Sequence, residues 1–150
     1  MRMYPLRELE SLRDKEYSWA DTPLTAGTNP LSRIKTDAPL DIEAELKVSD
    51  AANVEFLLRG FHVTYEAGLD TLICSGPKGL RARVPSHDGV IRLRMILDRF
   101  SIEVFANDGE TYVPMLASNG QSDPNLSLIL HQGKSTIQSL HVYELKSAWP

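Results

Sequence analysis

Residues 98 to 110 contain four carboxylic acids within thirteen positions. The stretch is DRFSIEVFANDGE, and its acids are Asp98, Glu103, Asp108 and Glu110. Many glycosidases cleave sugars with two carboxyl groups that flank the scissile bond, about 5 to 10 Å apart. The same four acids could instead lie on the water-facing side of a β-hairpin. Two hypotheses therefore compete: a sugar-cleaving active site and a structural hairpin.

The local pattern favours the hairpin. Glu103 alternates with Ile102 and Val104, which places it on the strand face opposite the aliphatic side chains. Residues 107–109, Asn-Asp-Gly, are typical of a hairpin turn, because asparagine and glycine tolerate positive φ. Asp98 and Glu103 could approach each other across a hairpin, but tuning a carboxyl into a catalytic acid requires a pocket. Because these acids flank predicted turns, we interpret them as structural.

Other reactive residue types predict no site. Cys74, the only cysteine, lies in the strand-like run DTLICSG, and we interpret it as a small buried hydrophobe rather than a nucleophile. The GKS at residues 133–135 does not complete a phosphate-binding loop, because Leu128 stands where that motif has its first glycine. The histidines share no metal-type spacing: His62, His87, His131 and His141. We therefore predict no catalytic residue, no metal site and no cofactor.

Composition limits the partners. The chain has 150 residues, of which 42% are hydrophobic and 24% charged, as in an ordinary globular domain with its own core. Its net charge is −4, from 16 basic and 20 acidic residues, and the basic residues are scattered. Scattered basic residues argue against nucleic-acid binding. No apolar run approaches the roughly 20 residues of a membrane span, so we expect no membrane partner. The N-terminus, MRMYPLRELE, lacks the apolar stretch of a signal peptide, and the compartment stays open.

The chain divides into two regions. Residues 1–38 begin with leucines at helical spacing and continue with a proline-containing stretch of little periodicity. We predict that residues 1–38 form a connecting arm packed on the domain, and that residues 39–150 form the domain itself.

From residue 39 onward, apolar and polar residues alternate with a period of two, and turn residues separate the runs. The strand-like runs are DIEAELKV, NVEFLLRG, FHVTYEAG, DTLICSG, GLRARVPS, GVIRLRMILD, SIEVFAND, TYVPMLAS, NLSLILHQ and STIQSLHVYELK. About ten or more short strands without a long helix between them predict an all-β fold. We expect a two-sheet antiparallel β-sandwich of jelly-roll or lectin-like type.

Aromatic residues give one candidate contact for sugars. Sugar-binding modules stack the apolar faces of sugars on exposed aromatic rings, and Tyr17, Trp19 and Trp149 lie near the two termini. These rings could equally anchor the termini onto the sandwich. We keep Trp19, Tyr17 and Trp149 as possible sugar contacts beside that structural interpretation.

Three segments resemble one known family. The segment LRMILDRFSIEVFANDGETYVPM closely resembles the signature hairpin in the C-terminal β-sandwich of family 32 glycoside hydrolases, which are invertases, levanases and inulinases. The ending LHVYELKSAWP resembles the closing strand of that domain. The segment PLRELESLR resembles the stretch where the chain leaves the catalytic propeller.

This resemblance implies a sandwich of two antiparallel sheets packed against a five-bladed β-propeller. In the family, the catalytic acids belong to the propeller, in motifs of the types Trp-Met-Asn-Asp-Pro-Asn-Gly, Arg-Asp-Pro and Glu-Cys-Pro. The nearest matches here are incomplete: SDPN lacks the surrounding residues, LRDKE lacks the proline, and Cys74 follows Ile73. No catalytic residue is carried over to this chain.

Three functions remain open. The leading hypothesis is a non-catalytic structural or interaction module of a fructan- or sucrose-cleaving hydrolase, beside a catalytic propeller absent from this chain. The second is a carbohydrate-binding module for fructan, and the third is a fructosidase active on its own. Because a module shaped against a propeller would expose one face without it, we also expect the isolated chain to associate with itself, or the arm of residues 1–38 to cover that face.

Overall fold

The computed structural model describes residue 5 and residues 7–75, 79–117 and 123–146. Within these ranges it has eleven strands and three short 3₁₀ segments. The strands are β1 (Arg13–Leu24), β2 (Leu40–Val48), β3 (Asn53–Leu58), β4 (Phe61–Glu66), β5 (Thr71–Ser75), β6 (Leu80–Arg83), β7 (Val90–Leu97), β8 (Ser101–Ala106), β9 (Thr111–Leu116), β10 (Leu126–Gln132) and β11 (Ser135–Leu145). The 3₁₀ segments are Arg7–Leu12, Pro30–Arg33 and Ala67–Leu69. Among the described residues, no helix is long and apolar enough to cross a membrane.

The strands form two sheets. The six-stranded sheet has the order β1-β11-β2-β7-β8-β9, and the five-stranded sheet has the order β10-β3-β4-β5-β6. Every neighbouring pair is antiparallel. The buried aliphatic and aromatic side chains of both sheets form one core cluster. The predicted two-sheet antiparallel sandwich is confirmed.

Strand alternation builds the core. In β2, Ile42 and Leu46 are fully buried, whereas Glu43 and Glu45 lie on the opposite side and are partly exposed. Burying an aliphatic side chain of this size contributes about 1.5 to 3 kcal/mol. A one-residue slip of the strand would reverse every side chain, so the hydrophobic pattern fixes the register.

Strand β1 was not predicted from the sequence. It pairs with β11 along its length, with one irregularity between Arg13 and Glu16, and forms an edge of the six-stranded sheet. Its burial pattern is weak, and Leu24 is its single fully buried side chain. An edge strand of this kind lacks the alternation of aliphatic and polar residues that identifies interior strands. Leu9 and Leu12 before it lie in a 3₁₀ segment. A domain boundary at residue 38 stays a prediction.

The side chain of Arg59 links the end of the predicted arm to the sandwich through hydrogen bonds. This residue lies in the tight β3–β4 turn with a φ of 49° and is almost fully buried. Its Nη2 donates to the carbonyl oxygens of Thr36 (2.8 Å) and Ala38 (2.9 Å). Burial lowers the pKa of Arg59, and the carboxylates of Asp37 and Glu144 partly oppose this shift. A buried cation with fixed carbonyl partners therefore holds residues 36–38 in place.

The β8–β9 connection is the predicted hairpin turn. Asn107, Asp108 and Gly109 have φ values of 49°, 58° and 86°. The buried Asn107 donates from Nδ2 to the carbonyl oxygen of Pro85 (2.8 Å) and accepts the backbone N–H of Arg92 at Oδ1 (3.2 Å). Asparagine suits this position because it tolerates left-handed φ and its amide also ties the turn to β7.

Candidate functional site

The two acids that could have formed a catalytic pair, Asp98 and Glu103, are each engaged locally. Glu103 lies on β8 opposite Ile96 of β7, and its Oε1 accepts a 2.6 Å hydrogen bond from the Tyr112 hydroxyl. This hydrogen bond is the main cause that raises the pKa of Tyr112 to about 12. Asp98 follows β7, and its Oδ1 accepts the backbone N–H of Arg99 at 2.7 Å. Both contacts stabilise strand pairing and a turn.

The two turn acids, Asp108 and Glu110, have separate basic neighbours. Asp108 Oδ2 lies 3.2 Å from Arg92 Nη1. Glu110 Oε2 lies 3.6 Å from His87 Nε2. In these contacts the four acids of the hairpin meet four different residues, Tyr112, Arg99, Arg92 and His87.

Asp41 on β2 is the centre of a buried charge network. Its side chain is 0% exposed. Arg94 donates to it from Nε (3.0 Å) and Nη2 (2.8 Å), and Arg13 donates from Nε (3.0 Å) and Nη2 (2.9 Å). We call Asp41, Arg13 and Arg94 the Asp41 clasp. Burial alone would lower the pKa of Arg13, but its hydrogen bonds to Asp41 and Glu43 raise the pKa overall.

The Asp41 clasp connects four neighbouring strands of the six-stranded sheet. Arg13 belongs to β1, Asp41 to β2 and Arg94 to β7, and β11 lies between β1 and β2. Arg13 crosses β11 with its guanidinium 4.0 Å from the centre of the Tyr143 ring. Arg94 Nη1 also lies 3.8 Å from Glu10 Oε1, which brings the first 3₁₀ segment to this face. The clasp thus joins the beginning of the chain to the middle of the sheet.

A groove of about 440 Å³ lies on the outer face of the same sheet. We call it the outer-face groove, and the side chains that give it its chemistry are Glu43, Glu45, Arg92, Arg94, Phe105, Asp108, Ser139 and His141. They come from β2, β7, β8, the β8–β9 turn and β11, and Pro5 lies at its border. Sequence reasoning did not find this groove, because its residues are the outward-facing half of ordinary alternating strands.

Ion pairs hold the polar side chains of the groove. Arg92 lies between Glu45, at 3.3 Å from Nε, and Asp108, at 3.2 Å from Nη1. Arg94 is fixed by Asp41 on the buried side. His141 Nδ1 lies 2.7 Å from Glu16 Oε1, and its ring stacks near Tyr143 with 6.0 Å between the centroids. The groove therefore presents oriented donors and acceptors.

Two of the aromatic residues singled out in the sequence, Tyr17 and Trp19, lie outside the groove lining. Tyr17 and Trp19 pair with Val142 and Leu140 of β11 and pack, partly buried, against the core. The Arg33 guanidinium lies 4.4 Å from the Trp19 ring centre. The Tyr17 hydroxyl donates to Glu144 Oε2 at 2.9 Å, and Lys15 Nζ lies 4.9 Å from the Tyr17 ring centre.

These contacts agree with rings that anchor β1, while a sugar contact through them stays a prediction. Trp149 lies outside the described residues.

The five-stranded sheet has its own charge cluster on β3, β4 and β10. Glu55 Oε2 lies 2.7 Å from His62 Nδ1, and Glu55 Oε1 lies 3.0 Å from His131 Nε2. The Thr64 hydroxyl also donates to Oε2 at 3.3 Å. Burial alone would raise the pKa of Glu55, but its contacts with His62 and His131 lower it overall. We call Glu55, His62 and His131 the Glu55 cluster.

No group of side chains suited to a metal ion occurs in the part of the chain that the structure describes. Cys74 is fully buried, and burial raises the pKa of its thiol to about 12. Such a thiol does not form a thiolate near neutral pH, which fits the interpretation of Cys74 as a core residue.

The fold defines the class of protein: an antiparallel two-sheet β-sandwich. The chain belongs to the family described as "Glycosyl hydrolases family 32 C terminal", whose model matches residues 8–144. This family is the one that the hairpin and the terminal segments resemble.

Known relatives agree with this assignment. A levanase from Bacillus subtilis (strain 168) is 26% identical over 168 aligned positions, which cover 97% of this chain and 24% of the levanase. An exo-inulinase from Aspergillus awamori superposes with a TM-score of 0.77 at 17% identity, over 99% of this chain and 33% of the inulinase. A fructofuranosidase from Schwanniomyces occidentalis, solved with fructose, gives 0.75 at 14% identity, over 90% and 34%.

The chain therefore spans about a quarter of the levanase and about a third of the two enzymes of known structure. These longer relatives are named a levanase, an exo-inulinase and a fructofuranosidase.

Proposed function

We propose that this chain is a non-catalytic sandwich module of a fructan- or sucrose-cleaving hydrolase, and that it braces a catalytic β-propeller. The observation that carries the proposal is the match to the C-terminal family over residues 8–144, together with relatives of three to four times the matched length. The catalytic residues would belong to the propeller rather than to residues 1–150.

The engagement of the hairpin acids supports a non-catalytic role. A glycosidase needs one carboxyl that can give a proton and a second that can attack or activate water. Glu103 is instead bonded to Tyr112, and Asp108 is paired with Arg92 at the protein surface.

Exposed apolar side chains support an interaction role. Phe100 is 52% exposed and Leu116 is 74% exposed, and the two residues lie close together because Ala117 N–H donates to the Phe100 carbonyl oxygen. Interfaces between domains of one chain commonly bury about 600 to 1,500 Å². A propeller docked against this part of the sandwich, or a second copy of the chain, would cover these side chains.

A chimera tests the bracing role. The catalytic propeller of the Bacillus subtilis levanase would be produced alone and joined to residues 1–150, and the loss of levan hydrolysis on heating would be followed for both. We expect the joined chain to keep its activity to a higher temperature. Equal inactivation, with the sandwich folded by circular dichroism, would contradict a bracing role.

A second candidate function is fructan binding, and the outer-face groove favours it. The groove is a concave polar surface of about 440 Å³, within the range of small-molecule sites. Of the relatives above, one is named a levanase, one an exo-inulinase, and one was solved with fructose. A module of such an enzyme could hold the same class of polymer close to the propeller.

A further inference from the structure

We infer that the outer-face groove is a binding subsite for a neutral oligosaccharide of the fructan type, with Arg92 as a principal hydrogen-bonding residue. The inference rests on the proposed membership in a fructan-cleaving enzyme for the identity of the sugar. It places binding on the outer face of the six-stranded sheet instead of on the aromatic residues near the termini.

The charges of the groove select against ionic ligands. Its lining contains three carboxylates, Glu43, Glu45 and Asp108, and two guanidiniums, Arg92 and Arg94. Each guanidinium lies within 3.7 Å of a lining carboxylate. The slight excess of negative charge disfavours phosphates and nucleic acids, and the guanidiniums disfavour a metal cation. A ligand without charge meets neither repulsion.

The side chains of the groove suit hydroxyl groups. Carboxylates accept hydrogen bonds and guanidiniums donate them, so neighbouring sugar hydroxyls can serve both at once. Arg94 is held from below by two hydrogen bonds to Asp41, and Arg92 is held by Glu45 and Asp108. Side chains that are already oriented lose less conformational entropy when a ligand binds.

The groove also contains an apolar surface. Phe105 lines it on the outer side of β8 and is only 5% exposed, with its ring centroid 4.9 Å from that of Tyr112. Sugars carry C–H groups beside their hydroxyls, so a site for them combines a small apolar area with polar groups around it.

The aromatic side chains Tyr17 and Trp19 are less accessible to a sugar. They pack, partly buried, against the core, and Lys15 and Arg33 lie over their rings. A sugar would first have to displace these cations.

The test is a nuclear magnetic resonance titration of the ¹⁵N-labelled chain with 1-kestose, a levan-type trisaccharide and, as a size-matched control, maltotriose. We expect saturable shifts with at least one fructan trisaccharide, with a Kd on the order of 1 mM or below. The shifts should involve the amides of residues 43–45, 92–94, 105–109 and 139–141, and maltotriose should give weaker shifts.

Two variants test whether Arg92 contributes to the affinity for the sugar. Arg92→Ala removes a side chain that is 54% exposed, so the fold should remain intact. We expect this variant to raise the Kd at least about fivefold. His62→Ala changes an exposed side chain on the other sheet and should leave the Kd unchanged.

Four results would overturn the inference: no saturable shift with either fructan trisaccharide; equal shifts with maltotriose; shifts centred on Tyr17 and Trp19; or unchanged affinity in Arg92→Ala. Each of them would leave the bracing role intact, because that role is measured by the heat inactivation of the chimera. Loss of the bracing role with sugar binding retained would instead identify the chain as a binding module.

Discussion

On the outer face of each sheet, one carboxylate contacts two basic side chains, but the basic side chains differ between the two sheets. On the six-stranded sheet, Asp41 is held by Arg13 and Arg94. On the five-stranded sheet, Glu55 is held by His62 and His131. In both, a carboxylate in the middle of a strand connects neighbouring strands through two basic side chains.

The difference lies in the basic residues. A guanidinium carries several N–H donors in a planar fork, so each arginine donates two hydrogen bonds to Asp41, whereas each imidazole makes one contact with Glu55. The guanidinium network lies under the groove, where fixed side chains matter for binding, and the imidazole network lies on the other side of the sandwich.

Removing Asp41 should have the largest effect. Asp41→Ala leaves two largely buried guanidiniums without their shared buried acceptor, although Arg13 keeps its hydrogen bond to Glu43, and breaking a buried ion pair costs about 3 kcal/mol or more. Urea unfolding would measure the loss. The matched control is Glu45→Ala on the same strand and face, where the surface pair with Arg92 should contribute less than about 1 kcal/mol. Similar losses in the two variants would show that burial does not distinguish Asp41.

Gly109→Val should have the next largest effect. Gly109 has a φ of 86°, which a β-branched residue adopts only under strain, so we expect a loss of about 1 to 2 kcal/mol or more. Gly109 also borders the outer-face groove. Because Gly109 is not a member of the Asp41 clasp, its variant tests the turn independently of the clasp. An unchanged urea midpoint would contradict the turn described for residues 107–109.

Glu55→Gln should change the pH dependence of stability. The pKa of Glu55 is lowered in the folded chain, so its contribution is present above the ordinary glutamate pKa of about 4.3. That contribution disappears as the pH falls through the lower, folded pKa. The variant should therefore be less stable than the parent at pH 6, and the difference should vanish in acid. Urea midpoints between pH 6 and pH 3 would measure this, with Glu45→Gln as the control. A constant difference would show that Glu55 has no lowered pKa.

Glu103→Gln should have the smallest effect. The amide oxygen of glutamine can still accept the Tyr112 hydroxyl, so the stability should change by less than about 0.5 kcal/mol. The pKa of Tyr112 should fall towards its usual value of about 10, because the carboxylate that raises it is gone. A spectroscopic titration of tyrosine ionisation, compared with the same titration of Tyr112→Phe, would detect the change. A Tyr112 pKa that stays near 12 would contradict the hydrogen bond.

The sequence revealed features that depend on neighbours along the chain. The turn at residues 107–109 is local, and so is the alternation of strands such as β2 and β7. Strand β1 was missed because it is an edge strand with weak alternation, and tertiary pairing with β11 makes it a strand. Asp41 lies on the polar side of the alternating run DIEAELKV, but its burial depends on Arg13 and Arg94, which lie 28 and 53 positions away. No local signal distinguishes this acid from Glu43 or Glu45.

Fructose release from sucrose, inulin and levan by the purified chain tests the central claim most directly. The account predicts none, because the acids of the hairpin are engaged in a turn and in strand pairing. Release that copurifies with the chain and disappears in Glu103→Gln or Asp98→Asn would contradict it, and would make the carboxylates of residues 98–110 catalytic.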